Sequence, residues 1–387
     1  MNNAKTEKHP HGEINHKEPL VRIAKRDASS IWRKIFVRFF AIIAALLIDA
    51  LFIVLVTELN PLEVYREIYN ATFQTSLRFA WAMRDMASLL CIGVALAPAF
   101  KMRFWNIGAE GQVLMGGFAT AMCMMFLGNS MPTPLLFAVM AVTSILAGAV
   151  WSFIPAFFKA NWNTNETLFT LMMNYVAIQI VAYYTNILRG QASSLGTINM
   201  GTKVGWFPKL FGYDFSINII IVVALTILMF IYLKYTKHGY EISVVGESEK
   251  TARYAGIDVK KVTIRTLILS GAICGLCGFI IVAGNKHTIS TNTAAGNGFT
   301  AIIVAWLAKF NTFYMALISF LLIFLEKGAG QIASSFGLNE YIADIISGII
   351  LFCILGSEFF INYRLVLPHR AARLEAKKEV SAEGGKN

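Results

Sequence analysis

The sequence predicts an all-α membrane protein that crosses the bilayer about ten times. Hydrophobic residues make up 56% of the 387 residues, charged residues make up only 15%, and the mean hydropathy is +0.58. The apolar residues are concentrated in long runs, and most basic residues lie between these runs or near the two ends of the chain. A soluble chain of this length would carry a more highly charged surface over about two or three domains.

The number of spans follows from the lengths of the apolar runs, because a helix needs about 20 apolar residues to cross the hydrocarbon core. Five runs reach that length easily: 35–56, 134–158, 167–188, 263–284 and 341–361. The run 216–233 is adequate, and 112–128 becomes adequate if it extends back to Asn106. Three more runs are short: 86–100, 299–308 and 312–325. The last two could instead form a single re-entrant hairpin.

The distribution of Lys and Arg predicts the orientation, since segments on the cytoplasmic side carry an excess of both. With ten spans and a cytoplasmic N-terminus, the inner segments hold 25 of the 34 basic residues and the outer segments hold 8. We therefore expect a basic cytoplasmic arm at 1–34, a transmembrane domain at 35–361 and a basic cytoplasmic tail at 362–387. The protein is expected in the cell membrane, with both termini in the cytoplasm.

Composition and motifs also exclude several functions. The net charge of +11 lies between and around apolar runs, which is a pattern of membrane topology rather than of a nucleic-acid-binding face. All five cysteines fall in apolar runs and predict no disulfide framework. The only Gly-Lys pair is Gly385-Lys386, so no phosphate-binding loop is present, and no His-Glu-x-x-His zinc motif occurs. We expect no metal or cofactor in this chain, so the energy for any driven process must come from another subunit or from an ion gradient.

Two short runs adjoin the two most glycine-rich stretches of the chain, Asn106–Gln112 and Ala295–Gly298. Backbone without helical hydrogen bonds is tolerated at membrane depth only beside a cavity or inside protein, so short interrupted spans are typical of a substrate path. The alternative is that the glycines only allow helices to pack closely.

Glu110 is the most informative single residue, because a carboxylate in an apolar span costs about 2.5–3.5 kcal/mol and needs a partner or water. Asn106 and Gln112 supply amide groups on either side of it. Two roles are open: Glu110 contacts the solute, or it caps the helix that begins near Gly111.

The stretch from Phe104 to Gly117 contains Asn-Ile-Gly-Ala-Glu-Gly-Gln at 106–112. It resembles the motif of nucleoside-type ABC importer permeases, a branch of the group that includes simple-sugar permeases. Further similar segments follow in order: 165–175, 252–257 with 270–272, and 298–302. The resemblance covers about residues 60–360.

The resemblance implies a type II-like ABC importer permease architecture and several partners. These are a second related permease, two ATP-binding cassette subunits, an extracytoplasmic solute-binding lipoprotein and a small solute. Asn174 lies in one of the similar segments, within a run rich in Leu, Met and Tyr. It joins Asn106, Glu110 and Gln112 as a residue expected to line or support the solute path.

The segment between the spans ending at Leu233 and beginning at Thr263 is the largest internal cytoplasmic loop. A short amphipathic helix here, with Ala252 and Ala255 on one face, could dock on an ATPase subunit. The residues expected to couple the permease to the ATPase are Glu247, Ala252, Arg253 and Gly256. The alternative is a solvated charge run that only sets topology.

The sequence therefore favours a permease subunit that imports nucleosides, or related solutes such as simple sugars, with ATP hydrolysed by separate subunits. An ion-coupled secondary transporter is the main alternative, since broken helices and a membrane carboxylate also suit one. An intramembrane enzyme would need a catalytic constellation, and the sequence contains no evident Ser/His, paired Asp or metal-ligand set.

Overall fold

The computed structural model describes residues 22–25, 30–210, 212–213 and 215–366. Most of the predicted arm and tail, residues 1–21, 26–29 and 367–387, lies outside this range. The described elements are, in order, β1 (Arg22–Lys25), α1 (Ile31–Thr57), α2 (Pro61–Phe73), α3 (Ser76–Lys101), α4 (Ala109–Leu127), α5 (Thr133–Trp162), α6 (Glu166–Arg189), α7 (Ser216–Tyr235), α8 (Lys237–Glu247), α9 (Glu249–Tyr254), α10 (Val259–Ile281), a π-helical turn (Val282–Lys286), α11 (Asn297–Leu307), α12 (Thr312–Phe336), α13 (Glu340–Asn362) and β2 (Tyr363–Val366).

The predicted class is confirmed: the chain is an all-α membrane protein with about ten apolar helices, one of which is too short to cross the bilayer. Among the described residues, nine helices are long and apolar enough to cross a bilayer. The run 299–308 lies in α11, whose 11 residues span only about 16 Å, roughly half of the hydrocarbon core. The short runs 86–100 and 312–325 belong to helices of 26 and 25 residues. The hairpin alternative is thus replaced by a half-length helix followed by a full-length one.

Polar residues at the helix ends explain where several spans begin. The side-chain oxygens of Thr75, Asn165 and Asn311 accept backbone N–H bonds from the first turns of α3, α6 and α12, at 3.2, 3.1 and 3.0 Å. Each bond satisfies one of the N–H groups that a helix start leaves without an internal partner. At the other end of α12, Gly337 adopts a left-handed conformation with φ +63°, which stops the helix.

The compact unit Leu62–Ala343 is built around α10, which packs mainly on α5 and α4. Glycines make this close packing possible. A Cβ atom on Gly148 of α5 would collide with the backbone of Gly271 and Gly275 in α10, and one on Gly116 of α4 would also collide with Gly275. Small residues that let helix backbones approach are a common means of packing in membranes, where lipid competes with apolar side chains.

The chain loses regular α-helical structure after α10. The helix passes into the π-helical turn Val282–Lys286, and a polar segment at 287–296 then leads to α11. This irregular segment connects α10 to α11, and both helices contribute residues to the site described below.

The second unit comprises Met1–Pro61 and Asp344–Asn387, of which the structure describes 22–25, 30–61 and 344–366. β1 pairs with β2 in an antiparallel register that joins Arg22 to Val366 and Lys25 to Tyr363. Arg38 of α1 donates to Glu358 of α13 at 2.6 Å. The residues that precede α1 and those that follow α13 therefore lie side by side.

Candidate functional site

The motif 106–112 lies in a tight turn between α3 and the first turn of α4. Arg103 adopts φ +61°, and the Phe104 N–H donates to the Ala99 carbonyl at 3.0 Å, so the chain reverses direction immediately after α3. Asn106 is fully buried. The motif is therefore inside the protein, although its backbone is not helical before Ala109.

Asn106 and Gln112 bind each other through both amide groups. Asn106 Nδ2 donates to Gln112 Oε1 at 3.3 Å, and Gln112 Nε2 donates to Asn106 Oδ1 at 3.1 Å. Asn106 also accepts from the Gly108 N–H at 3.1 Å and donates to Ser270 Oγ of α10 at 3.3 Å. The pair closes the turn on itself and links it to the central helix.

Asn174 and Thr170 of α6 bind the backbone that the turn leaves without helical partners. Asn174 accepts from the Gly111 N–H at 2.9 Å and donates to the Ile107 carbonyl at 2.8 Å. The Ile107 N–H donates to Thr170 Oγ1 at 3.1 Å. A Cβ on Gly111 would lie 2.9 Å from Asn174 Oδ1, so glycine is required for this approach. Side chains of α6 thus replace the missing helical hydrogen bonds.

Glu110 binds the start of the half-length helix α11. Its Oε1 accepts the Gly296 N–H at 2.9 Å, and its Oε2 accepts the Gly298 N–H at 2.8 Å. A Cβ on Gly298 would come within 2.5 Å of the Glu110 backbone nitrogen, so this glycine allows the helix start to reach the carboxylate. A negative charge at a helix N-terminus interacts favourably with the helix dipole, and such charge-assisted bonds are stronger than neutral ones.

This geometry corrects the capping role considered from the sequence. Glu110 lies in the first turn of α4, its own helix, but its side chain caps α11, almost two hundred positions later in the chain. The partners Gly298, Ser270 and Thr170 were recognised in similar segments of the sequence. Sequence spacing contains no signal for which of these segments meets Glu110, since the contacts depend on how the helices are packed.

The structure brings all four residues predicted for the solute path into one buried cluster. Asn106, Glu110, Gln112 and Asn174 are 0, 7, 1 and 2% exposed. The oxygens and nitrogens of the three amide side chains and both Glu110 oxygens have hydrogen-bond partners within the chain. The cluster joins α4, α6, α10 and α11.

The residues predicted to couple to an ATPase lie in and after the short helices α8 and α9. Glu247, Arg253 and Gly256 are exposed, whereas Ala252 is fully buried. Ala255, predicted to share a docking face with Ala252, is exposed. The prediction that Ala252 and Ala255 share one helical face is therefore wrong. Helix α9 ends at Tyr254, before Ala255, and the two alanines have different surroundings.

Two contacts connect this region to the spans. A Cβ on Gly246 of α8 would collide with the carbonyl of Lys101, so α8 packs directly against the end of α3, next to the motif turn. Asp258 accepts the Lys261 N–H at 3.2 Å and caps α10, and this bond lowers the pKa of the Asp258 carboxyl. Tyr254, which the sequence did not single out, is 94% exposed on α9.

Replacement of Glu110 by Gln tests the two hydrogen bonds that link Glu110 of α4 to the start of α11. The amide offers one acceptor oxygen, and its NH2 group would face a second donor, so one buried N–H loses its partner at a cost of about 1–3 kcal/mol. We expect a lower melting temperature for purified Glu110→Gln, measured by intrinsic fluorescence in detergent. The matched exposed change Glu63→Gln in α2 should stay within about 0.5 kcal/mol of the wild type. Equal melting temperatures for Glu110→Gln and the wild type would contradict a stabilising link between Glu110 and the start of α11.

Comparison with known proteins identifies the group to which this arrangement belongs. The family described as branched-chain amino acid transport system / permease component matches residues 81–355. The chain is 27% identical to the glucose ABC transporter permease protein TsgB13 of Haloferax volcanii, over 84% of this chain and 88% of the relative. No solved structure matches it significantly.

Two bacterial relatives are named for nucleosides. The guanosine ABC transporter permease protein NupP of Bacillus subtilis is 28% identical, over 82% of this chain and 92% of its own length. The nucleoside ABC transporter permease protein NupB of Lactococcus lactis subsp. cremoris is 25% identical, over 92% and 98%. Second permease proteins of the same two organisms, NupQ and NupC, each match 53% of this chain. The chain belongs to the branched-chain amino acid transport system permease component family, in the nucleoside-type branch of ABC transporter permeases, and is a multi-pass transport protein rather than an enzyme.

Proposed function

We propose that this permease subunit moves nucleosides, or related small polar solutes such as simple sugars, into the cell with energy from ATP bound and hydrolysed by separate subunits. The relatives named for guanosine, nucleosides and glucose support this solute class. The observation that carries the proposal is the half-length helix α11, whose N-terminus is held at Glu110 inside the bundle. Half-helices of this kind are typical of transport proteins with a path through the protein.

Asn106, Glu110, Gln112 and Asn174 would support the solute path rather than line it. Their polar atoms are buried and bind one another or nearby backbone, which leaves little capacity for a solute in this conformation. Their function in transport would be to hold the irregular backbone in place beside the path.

The pairing of β1 with β2 supports two termini on the same side of the membrane. An even number of crossings results if the polar segment 287–296 and α11 together make one crossing, in addition to the nine long helices of the described residues. With the excess of Lys and Arg in the inner segments, this supports cytoplasmic termini in the cell membrane.

The partners would be a second related permease, ATP-binding cassette subunits and an extracytoplasmic solute-binding lipoprotein. A second permease is supported by the relatives, because Bacillus subtilis has NupP and NupQ and Lactococcus lactis has NupB and NupC. An importer of this type obtains its energy from partner subunits, which accords with the absence of a phosphate-binding loop in this sequence.

Coupling to the ATPase is proposed for the exposed surface formed by the C-terminal end of α8, at Glu247, and by α9 with Gly256 after it, at the opposite end of α8 from Lys237. Glu247, Arg253 and Gly256 lie on this surface, and Ala252 supports it from inside. Because α8 packs on Lys101 at the end of α3, a displacement of this surface would be transmitted directly to the motif turn. This connection is short enough to move the start of α4 and, through Glu110, α11.

The source of energy is the first test. In proteoliposomes that contain the full importer, replacing the phosphate-binding lysine of the ATP-binding subunits should abolish uptake of guanosine, uridine or glucose, whereas a protonophore at constant ATP should leave it unchanged. Gradient-driven uptake by this chain alone would contradict the proposal and favour the ion-coupled alternative.

Arg253→Glu tests the coupling surface. Arg253 is exposed and its pair with Glu249 spans 3.9 Å, so the change should alter stability little. If Arg253 faces a carboxylate on the ATPase subunit, the glutamate would be repelled by that carboxylate. We expect ATP-driven uptake to fall about tenfold or more, equivalent to about 1.4 kcal/mol.

The matched control is Lys237→Glu, an exposed charge reversal at the first position of α8. It should leave uptake and copurification of the ATP-binding subunits unchanged. Equal uptake by Arg253→Glu and Lys237→Glu would show that Arg253 is not part of the coupling surface.

A further inference from the structure

A cavity of about 320 Å³ adjoins the N-terminus of α11, where its lining residues Ala295 and Asn297 alternate with the two glycines that bind Glu110. It is enclosed by α3, the π-helical turn after α10, the polar segment 287–296 and α12, all within the unit Leu62–Ala343. Its volume falls in the range of about 300–1,000 Å³ found for small-molecule sites. Its lining includes Asn297, the first residue of α11.

Four of the residues that line this cavity have neutral polar side chains. They are Ser88 of α3, Asn285 of the π-helical turn, Thr293 and Asn297. Hydroxyl and carboxamide groups can each donate and accept hydrogen bonds. Such groups match the hydroxyls of a sugar and the polar edges of a base, and they provide no net charge.

The lining also contains two cations and two carboxylates, so the formal charges of the lining residues sum to zero. The four residues are Arg84, Asp85, Lys286 and Glu326. Asp85 is held in place by both of its oxygens, which accept from Arg84 Nε at 2.7 Å and from Lys327 Nζ at 2.5 Å. Lys286 Nζ donates to the Asn292 carbonyl at 3.1 Å.

The N-terminus of α11 beside the cavity already binds a negative charge, the Glu110 carboxylate. A helix N-terminus that opens into a cavity attracts anions, because its first N–H groups have no partner in the helix. At the start of α11 two of these groups, on Gly296 and Gly298, already donate to Glu110, which is not among the lining residues of the cavity. A negatively charged solute in the cavity would therefore gain little from this helix start.

We infer that this cavity is a binding site for the transported solute and that it takes an uncharged, polyhydroxylated molecule such as a nucleoside or a simple sugar, while Glu110 prevents α11 from favouring an anion. The inference rests on the proposed transport function and adds the location of the site and the charge of the solute. In this arrangement Asn297 and Asn285 contact the solute directly. Glu110 does not contact the solute but positions the start of α11 and so affects which solutes bind.

Cysteine labelling in the full importer tests the site. Asn297 and Asn285 are partly exposed, and among the native cysteines Cys91, Cys123, Cys274 and Cys277 are buried, so Asn297→Cys is made in a Cys353→Ser background. Right-side-out membrane vesicles are treated with a membrane-impermeant methanethiosulfonate. Ser194→Cys, in the exposed segment after α6, is the control, and Asn285→Cys is used if Asn297→Cys does not reach the membrane.

Labelling of Asn297→Cys should remove most ATP-driven uptake, and labelling of Ser194→Cys should leave it unchanged. At about ten times its half-saturating concentration, a transported nucleoside should slow the labelling of Asn297→Cys about tenfold, while its 5′-monophosphate should not. Full uptake after complete labelling would overturn the site, and equal protection by the monophosphate would overturn the assignment of an uncharged solute. Absence of both nucleoside and sugar uptake by the unlabelled wild-type importer would instead refute the proposed function on which the inference rests.

Discussion

Backbone N–H and C=O groups in a bilayer have no water to bind, so a break in a helix survives only where other groups of the protein take the place of the missing partners. The chain contains such a break between the π-helical turn and α11, and another between α3 and α4. Glu110 is the residue that joins the two, because it lies in the first turn of α4, directly after the second break, and binds both Gly296 and Gly298 at the first. Without the carboxylate, two buried N–H groups would be left unpaired at a cost of about 1–3 kcal/mol each.

The surrounding packing follows from this requirement. Glu110 can reach α11 only if the start of α4 is held against the bundle, which Asn174 and Thr170 do from α6 and the Asn106–Gln112 pair does from within the turn. The glycines at 116 and 275 then let α4 and α10 approach to backbone contact. A buried network of this kind is rigid when every member is satisfied and costly when one is missing, which accords with the supporting role proposed for these residues.

Much of the fold could be predicted from the sequence, because span length and charge distribution depend on the bilayer rather than on detailed contacts. The long apolar runs and their approximate positions are of this kind. The helix α11 was harder to place, since the run 299–308 is apolar enough for a span and only its length and the preceding glycines indicate a half-length helix. The 26 residues of α3 were also underestimated, because its first turns, with Arg78, Arg84 and Asp85, interrupt the apolar run.

The sequence indicated which residues form the candidate site, but not which hydrogen-bond partner each of them has. Glu110, Asn106, Gln112 and Asn174 stood out because polar groups in apolar spans need partners, and the structure brings them together. Which partner each one takes depends on helix packing across large sequence separations, so the capping of α11 by Glu110 could not be read from spacing. The coupling segment shows the same limit: helical periodicity placed Ala252 and Ala255 on one face, but α9 ends before Ala255.

The most direct test of the central interaction is an electron cryo-microscopy structure of the assembled importer in a lipid nanodisc, at a resolution that shows the Glu110 carboxylate. The structure described above predicts both carboxylate oxygens within hydrogen-bonding distance of the Gly296 and Gly298 nitrogens, enclosed by α4, α6 and α10. A Glu110 side chain directed into the acyl chains, or residues 106–112 in a loop outside the membrane, would contradict it.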